Sequence, residues 1–239
     1  MAGGLADARP GLRKRRSRAR WRRLRRLLIV TGVLALVLAI GVVVWFTPLF
    51  SLREVKVEGT TLLTRAQVEE QAQAPMGRPL ARVDVQELSD RVARLPEVES
   101  VTVGQSWPSA VTIQVTERTA RVQRVEGSTY QWVDAQGVIF HTRTKSDSSL
   151  LVVNTPSTDR RLLADLATVA QSLTPTLRRQ VTGVKASTPD TITLTLSGGR
   201  SVVWGSADES VTKAQVATAL LQVKATVYDV SSPANPTSR

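Results

Sequence analysis

Between Leu27 and Phe46 the chain reads LLIVTGVLALVLAIGVVVWF, twenty residues without a charge. At about 1.5 Å per residue such a helix is roughly 30 Å long, the thickness of a bilayer's hydrocarbon core. Arg-rich sequence ending in Trp21-Arg-Arg-Leu-Arg-Arg26 precedes it, and Thr47-Pro48 follows. Secretory signals have apolar cores of about 7 to 15 residues and end in small residues. This run is longer, ends in Val42-Val-Val-Trp-Phe46 and has no A-x-A site near its outer end. It predicts an uncleaved anchor, with the basic end cytoplasmic under the positive-inside bias and the rest of the chain extracytoplasmic. Trp21 and Trp45 stand where interfacial aromatic side chains are expected.

The formal charge of +12 belongs to one end. Residues 1–26 carry eleven Lys or Arg against one acid, Asp7, a net of +10, whereas the remainder carries 21 basic and 19 acidic side chains, a net of +2. A basic surface spread over a fold would point to nucleic acid; a basic segment beside an anchor points to topology and anionic lipid headgroups. With almost no apolar pattern, residues 1–26 read as disordered until they meet the membrane. Cysteine is absent, which excludes thiol nucleophiles and thiolate metal sites. A domain of this length builds its core without disulfides.

Beyond Pro48 the pattern is that of a soluble α+β protein. Leu52, Val55 and Val57, with charges between and Gly59 behind, predict a strand. Thr64 and Gln67 have capping-box spacing for a helix to about Ala74, which Pro75 to Pro79 break. Asp84 and Glu87 open a second helix whose Val85, Leu88, Val92 and Leu95 form one stripe. Strands over Val98–Gln105 and Val111–Thr116, joined at Trp107-Pro108, complete a β-α-α-β-β unit. A meander follows at 121–125, 130–133 and 137–140, then a strand or connector at 150–154 and a helix from Asp159 to Leu173. Three strands lie at 180–186, 191–196 and 199–204. Ser206 and Glu209 frame a last helix to about Ala225. Residues 226–230 form a final β-branched run, followed by a polar tail. Strands grouped apart from helices indicate α+β rather than a doubly wound sheet.

Catalytic patterns are thin. His141, the single histidine, rules out a multi-histidine metal cluster and reads as an exposed loop residue. Ser210-Val-Thr-Lys213 matches the S-x-x-K of penicillin-interacting acyl transferases. Its companion S-D-N and K-T-G elements are missing, and four residues with two fixed positions recur by chance. No G-x-S-x-G, H-E-x-x-H or Walker loop occurs, and Glu69-Glu70 falls on a solvated helix face. No cofactor, metal site or enzymatic activity is expected.

The motifs taken in order resemble the bacterial cell-division family FtsQ/DivIB in an actinobacterial form. Phe50-Ser-Leu-Arg-Glu-Val-Lys-Val-Glu-Gly59 is similar to that family's opening POTRA strand. Ser106-Trp-Pro-Ser-Ala-Val-Thr-Ile-Gln-Val-Thr-Glu-Arg118 is similar to its W-P…E-R signature, through Trp107, Pro108, Glu117 and Arg118. Val133 to Phe140 resembles its D-x-x-G-x-x-F hairpin through Asp134, Gly137 and Phe140. Gly205 with Lys213 resembles its G…K pattern, and Tyr228-Asp-Val-Ser231 its closing strand. The resemblance implies a basic cytoplasmic tail at 1–26, a transmembrane helix at 27–47, a POTRA domain at 50–118, an FtsQ-type β domain at 119–232 and a flexible tail at 233–239. It implies a non-catalytic, single-pass scaffold enriched at the septum, linking early and late division proteins. Partners would be FtsB-like and FtsL-like bitopic proteins outside the membrane, with lipids at the basic tail and no nucleic acid. In the family the partner adds a strand beside the last one. The β-branched Thr226, Val227, Tyr228, Asp229, Val230 and Ser231 would present that edge by β-augmentation; the other reading of the same run is a paired core strand that closes the fold. A membrane-anchored cell-wall enzyme lacks its nucleophile here. A POTRA-bearing transport or chaperone component is the alternative, weakened by a single POTRA-like unit and the absence of a barrel's many strands.

Overall fold

A computed structural model describes residues 11–46 and 50–239. Helix α1 runs over Gly11–Phe46, and within it Leu24–Val43 is long and apolar enough to cross a membrane. Residues 11–26, expected to be disordered, are thus helical. Arg, Leu and Ala are strong helix formers, and a helix once nucleated extends at little cost. The expectations for residues 1–10, for the break at Thr47-Pro48 and for the Trp45 side chain lie outside the described residues.

By its own contacts the chain divides into two compact units, residues 1–56 with 73–88 and 103–113, and residues 57–72 with 89–102 and 114–239. A three-stranded sheet ordered β1-β3-β2 is built from β1 (Glu54–Glu58), β2 (Val98–Ser106) and β3 (Ala110–Glu117). Helices α2 (Arg65–Ala72) and α3 (Val85–Val92) lie between β1 and β2 in the chain, giving the β-α-α-β-β order.

In the first unit, residues 50–53 are gripped from two sides. Leu52 donates its N–H to the Arg78 carbonyl at 2.9 Å and accepts from Gly77 N at 2.8 Å, while Arg53 N reaches Ser109 O at 2.8 Å. Phe50 meets Trp107 edge-on, ring centroids 5.9 Å apart, and the Trp107-Pro108 bond is cis. The caps follow local rules. Asp84 Oδ1 accepts from Gln86 N and Glu87 N at 3.0 and 3.1 Å, which satisfies first-turn donors.

In the second unit the Thr64–Gln67 box closes in both directions, Thr64 N to Gln67 Oε1 at 2.8 Å and Gln67 N to Thr64 Oγ1 at 3.3 Å. The unit is dominated by a nine-stranded mixed sheet ordered β12-β11-β10-β9-β8-β7-β4-β5-β6. Its strands are β4 (Val122–Glu126), β5 (Thr129–Val133), β6 (Ile139–Arg143), β7 (Leu151–Asn154), β8 (Val181–Lys185), β9 (Ile192–Leu196), β10 (Ser201–Gly205), β11 (Val227–Asp229) and β12 (Thr237–Ser238). Parallel pairs occur at β4/β7, β7/β8 and β10/β11. Helices α4 (Arg160–Ser172) and α5 (Pro175–Gln180) form the β7-to-β8 crossover, and α6 (Ser210–Leu220) the β10-to-β11 crossover, because a parallel pair cannot be closed by a tight turn. Leu162, Leu163, Leu166 and Val169 of α4 and Ala214 and Ala217 of α6 join Ile192, Leu194, Val202, Trp204, Tyr228 and Val230 in one buried cluster. Each large side chain there contributes about 1.5–3 kcal/mol by leaving water. The architecture is α+β.

Several elements depart from the sequence reading. Helix α5, capped by the Thr174 hydroxyl accepting from Leu177 N at 3.2 Å, falls where none was expected. The last helix starts at Ser210 and ends at Leu220 rather than near Ala225. Glu209 occupies its N-cap in the left-handed region (φ 52°) without a side-chain cap bond, and Ser206 instead bonds Asp208 at 3.0 Å. His141 is not in a loop: it lies within β6, half-buried, 3.4 Å from Glu97 and against the Trp132 ring. The largest departure is β12, within the stretch expected to be a flexible tail.

Candidate partner-binding edge

The expected partner residues all lie on or beside β11, whose place in the sheet follows from its alternation. Tyr228 and Val230 are 1% and 0% exposed and enter the core. The Tyr228 hydroxyl donates to the Val223 carbonyl at 2.8 Å, satisfying the one polar atom that it buries. Val227 and Asp229 are half-buried on the other side of the strand, and Thr226 and Ser231 are exposed. Parallel pairing with β10 sets Ser201, Val202 and Val203 opposite Val227, Tyr228 and Asp229. Ser201 N donates to Thr226 O at 2.9 Å and Val230 N to Val203 O at 3.0 Å. Side-chain hot spots at Tyr228 and Val230 are therefore not available on this surface; what it offers a partner is main chain, Val227 and Asp229.

That main chain is not a bare edge. After Val230 the chain reverses. Asp229 Oδ1 accepts from Ser231 N at 3.0 Å and from its hydroxyl at 2.7 Å, and Asn235 N donates to Ser232 O at 3.0 Å. Pro233 stands at the second position of this four-residue turn, where its fixed φ suits the geometry. Strand β12 then runs antiparallel to β11, with Ser238 opposite Tyr228 and Thr237 opposite Asp229. Arg239 N donates to Val227 O at 2.9 Å, and Arg239 O accepts from Thr226 N, Val227 N and the Thr226 hydroxyl at 2.8, 2.9 and 3.1 Å. Of the two readings of 226–231, a free edge or a paired strand that closes the fold, the observed sheet order agrees with the paired one, since β11 lies between β10 and β12. Pro233 and Asn235 carried the turn signal; a two-residue strand with no apolar side chain left no periodicity to read.

The motif residues are joinery. The Glu117 carboxylate accepts from Leu62 N and Leu63 N at 2.9 and 2.8 Å, fixing the loop ahead of α2. Arg118 binds Asp134 at 2.5 Å and the Pro96 carbonyl at 3.1 Å. Asp134 also ties its own turn through Gln136 N and Val138 N at 2.9 and 2.8 Å. Gly137, with φ 76°, lets that turn press on α4, since a Cβ there would lie 2.0 Å from Arg160 O. Phe140 is 3% exposed and meets Trp132 at 6.2 Å. Trp107 is half-exposed beside Phe50. Gly205, φ 74°, admits Ser231, whose Cβ would stand 3.0 Å from a new Cβ.

The S-x-x-K pair is engaged elsewhere. Buried Ser210 bonds Ala207 O at 2.7 Å and accepts from Trp204 Nε1 at 3.2 Å, and Lys213 Nζ donates to Ser206 O at 3.0 Å. Burial lowers the Lys213 pKa, against the pull of Asp208 and Glu209. No group of three or more His, Cys, Asp or Glu able to hold a metal occurs among the described residues.

Comparison with known proteins matches both parts of the chain. A POTRA domain of FtsQ type matches residues 50–118, and the C-terminal domain of cell division protein FtsQ/DivIB matches residues 120–231. Cell division protein FtsQ of Streptomyces venezuelae is 37% identical over 243 residues, spanning 97% of this chain and 89% of that one. FtsQ of Streptomyces coelicolor is 36% identical, spanning 90% and 88%, and FtsQ of Mycobacterium tuberculosis 34%, spanning 88% and 68%. Likeness of this extent, carried through the anchor and both domains, shows that the chain belongs to the FtsQ/DivIB family of cell division proteins.

Proposed function

We propose that this chain is a non-catalytic, single-pass scaffold of the division machinery. Its basic N-terminus lies in the cytoplasm against anionic lipid, and its domains lie outside the membrane at the septum. There it links early and late division proteins by capturing extended segments of FtsB-like and FtsL-like bitopic partners. The observation that carries the reading is the end of the nine-stranded sheet. Strand β11 is held on one side by β10 and by two core side chains, and it meets only a two-residue strand on the other. A partner strand at that end gains affinity from main-chain bonds and specificity from alternate side chains. Confinement to the membrane surface raises the effective concentration of anchored partners, so each contact can be modest.

The test is a photoreactive residue in place of Val227 in growing cells, with one at exposed Thr188 as control. A light-dependent adduct with the FtsB-like partner at 227 and not at 188, together with unseptated filaments on depletion of the chain, is the expected result. Normal septa on depletion, or no adduct at 227 from a stably expressed variant, would overturn it.

A further inference from the structure

We propose that residues 235–239 are an internal placeholder strand, and that an extended partner segment reaches the outer edge of β11 only by displacing them. This rests on the reading that a partner strand joins this end of the sheet. The two seams of β11 differ in kind. Toward β10 it is pinned by Tyr228 and Val230 in the core, by Val230 N on Val203 O and by Ser201 N on Thr226 O. Toward β12 the bonds run from Thr226 N, Val227 N and the Thr226 hydroxyl to Arg239 O and from Arg239 N to Val227 O. Thr237, Ser238 and Arg239 are all exposed, so the segment buries little apolar surface, and Pro236 has no N–H to add. Bonds of this exposed kind are exchanged for water with small net loss, and the outer seam opens first.

Release leaves the Thr226 and Val227 N–H groups and the Val227 carbonyl pointing outward. Val227 and Arg239 exchange both bonds, so the vacated register is antiparallel, with Asp229 the next hydrogen-bonded position. The surface fits a β-branched extended segment of four residues or more, which pairs over a longer run than the two residues of β12. A covered edge also keeps the free protein from pairing with itself.

The test uses the full chain in nanodiscs and fluorescent peptides that together tile the extracytoplasmic part of the FtsB-like partner from the same organism. Ending the chain after Ser232 is expected to tighten peptide binding about tenfold, because affinity scales with the fraction of chains whose edge is open. The chain has no cysteine of its own, so Asp229→Cys with Thr237→Cys, opposite one another in register, can be oxidised to lock β12 in place. The oxidised pair is expected to bind at least about tenfold more weakly than the same double variant kept reduced, a comparison in which both side-chain changes are common to the two arms. Unchanged or weaker binding after truncation, or undiminished binding by the locked chain, would overturn the placeholder while leaving the edge reading standing. No binding by any form would overturn both.

Discussion

Arg118 and Asp134 meet at 2.5 Å while the second oxygen of the same carboxylate holds Gln136 N and Val138 N. One side chain, 3% exposed, thus ties the end of β3 to the β5–β6 turn and builds the turn as well. Removing one partner of a buried network leaves the others unpaired, which costs more than the pair itself contributes. Asp134→Ala is expected to destabilise the chain by about 2–4 kcal/mol. Asp134→Asn keeps an acceptor for the turn and should cost less. Urea denaturation followed by tryptophan fluorescence separates the two, and equal midpoints for Asp134→Ala and the parent would refute the account.

Gly137 and Gly198 share a left-handed φ, 76° and 75°, but only Gly137 is crowded: an added Cβ lies 2.0 Å from Arg160 O there and meets nothing within 4 Å at Gly198. Conformation alone costs about 1–2 kcal/mol for an L-residue in that region. Gly198→Ala should show that cost and little more. Gly137→Ala adds a backbone clash and should lose about 3 kcal/mol or more, or fail to accumulate. Thermal melting of the pair decides it, with similar losses counting against the clash.

Asp165 in α4 has its pKa raised, chiefly by burial, with Asp208, Asp190 and Asp159 adding to the rise and Arg161 opposing it. A carboxyl with a folded pKa above its unfolded one binds the proton more tightly when folded, so stability falls as pH rises through that window. Asp165→Asn should therefore melt at the same temperature as the parent below the ordinary carboxylate pKa of 3.8 and higher than it near neutral pH. A gap in melting temperature that does not open with rising pH would refute this.

Much of the fold was legible because it is local. The Thr64–Gln67 box, Asp84 at its cap, and Asp159, which accepts from Leu162 N at 3.0 Å, all act within three residues of themselves. The stripes of α3 and α4 follow from a 3.6-residue period. Helix α5 carried the same kind of signal in Thr174-Pro175, a cap followed by Pro at the first helical position, but at six residues it is too short for periodicity to support it. The start of α6 went the other way: Ser206 and Glu209 satisfy the spacing, yet the chain uses Ser206 to hold Lys213 and Asp208, and the helix opens three residues later than the box required.

Strand β4 shows a different limit. Gln123 and Arg124 are neighbours in it and so point to opposite faces of the sheet, yet both polar side chains are buried, 0% and 3% exposed. Gln123 is satisfied by the 146–150 loop, including Asp147 O at 2.6 Å, and Arg124 by Gln131 at 2.7 Å and Thr155 O at 3.1 Å. A buried guanidinium is tolerated only when its donors find acceptors, and those come from other strands and loops.

By itself the sequence determined the anchor, the caps, the breaks and the faces of the helices, since each depends on side chains within about one turn of chain. It also carried the motif that marks the family. Only the tertiary structure decided what those motif residues hold, Glu117 on Leu62 and Leu63, Arg118 on Asp134, Gly137 under Arg160, and whether the last β-branched run is an edge. Strand pairing is made by main-chain groups that are alike at nearly every residue, so residues 226–229 name the strand without naming its neighbour. That neighbour is Thr237–Ser238, brought back alongside β11 by a turn at Ser232–Asn235.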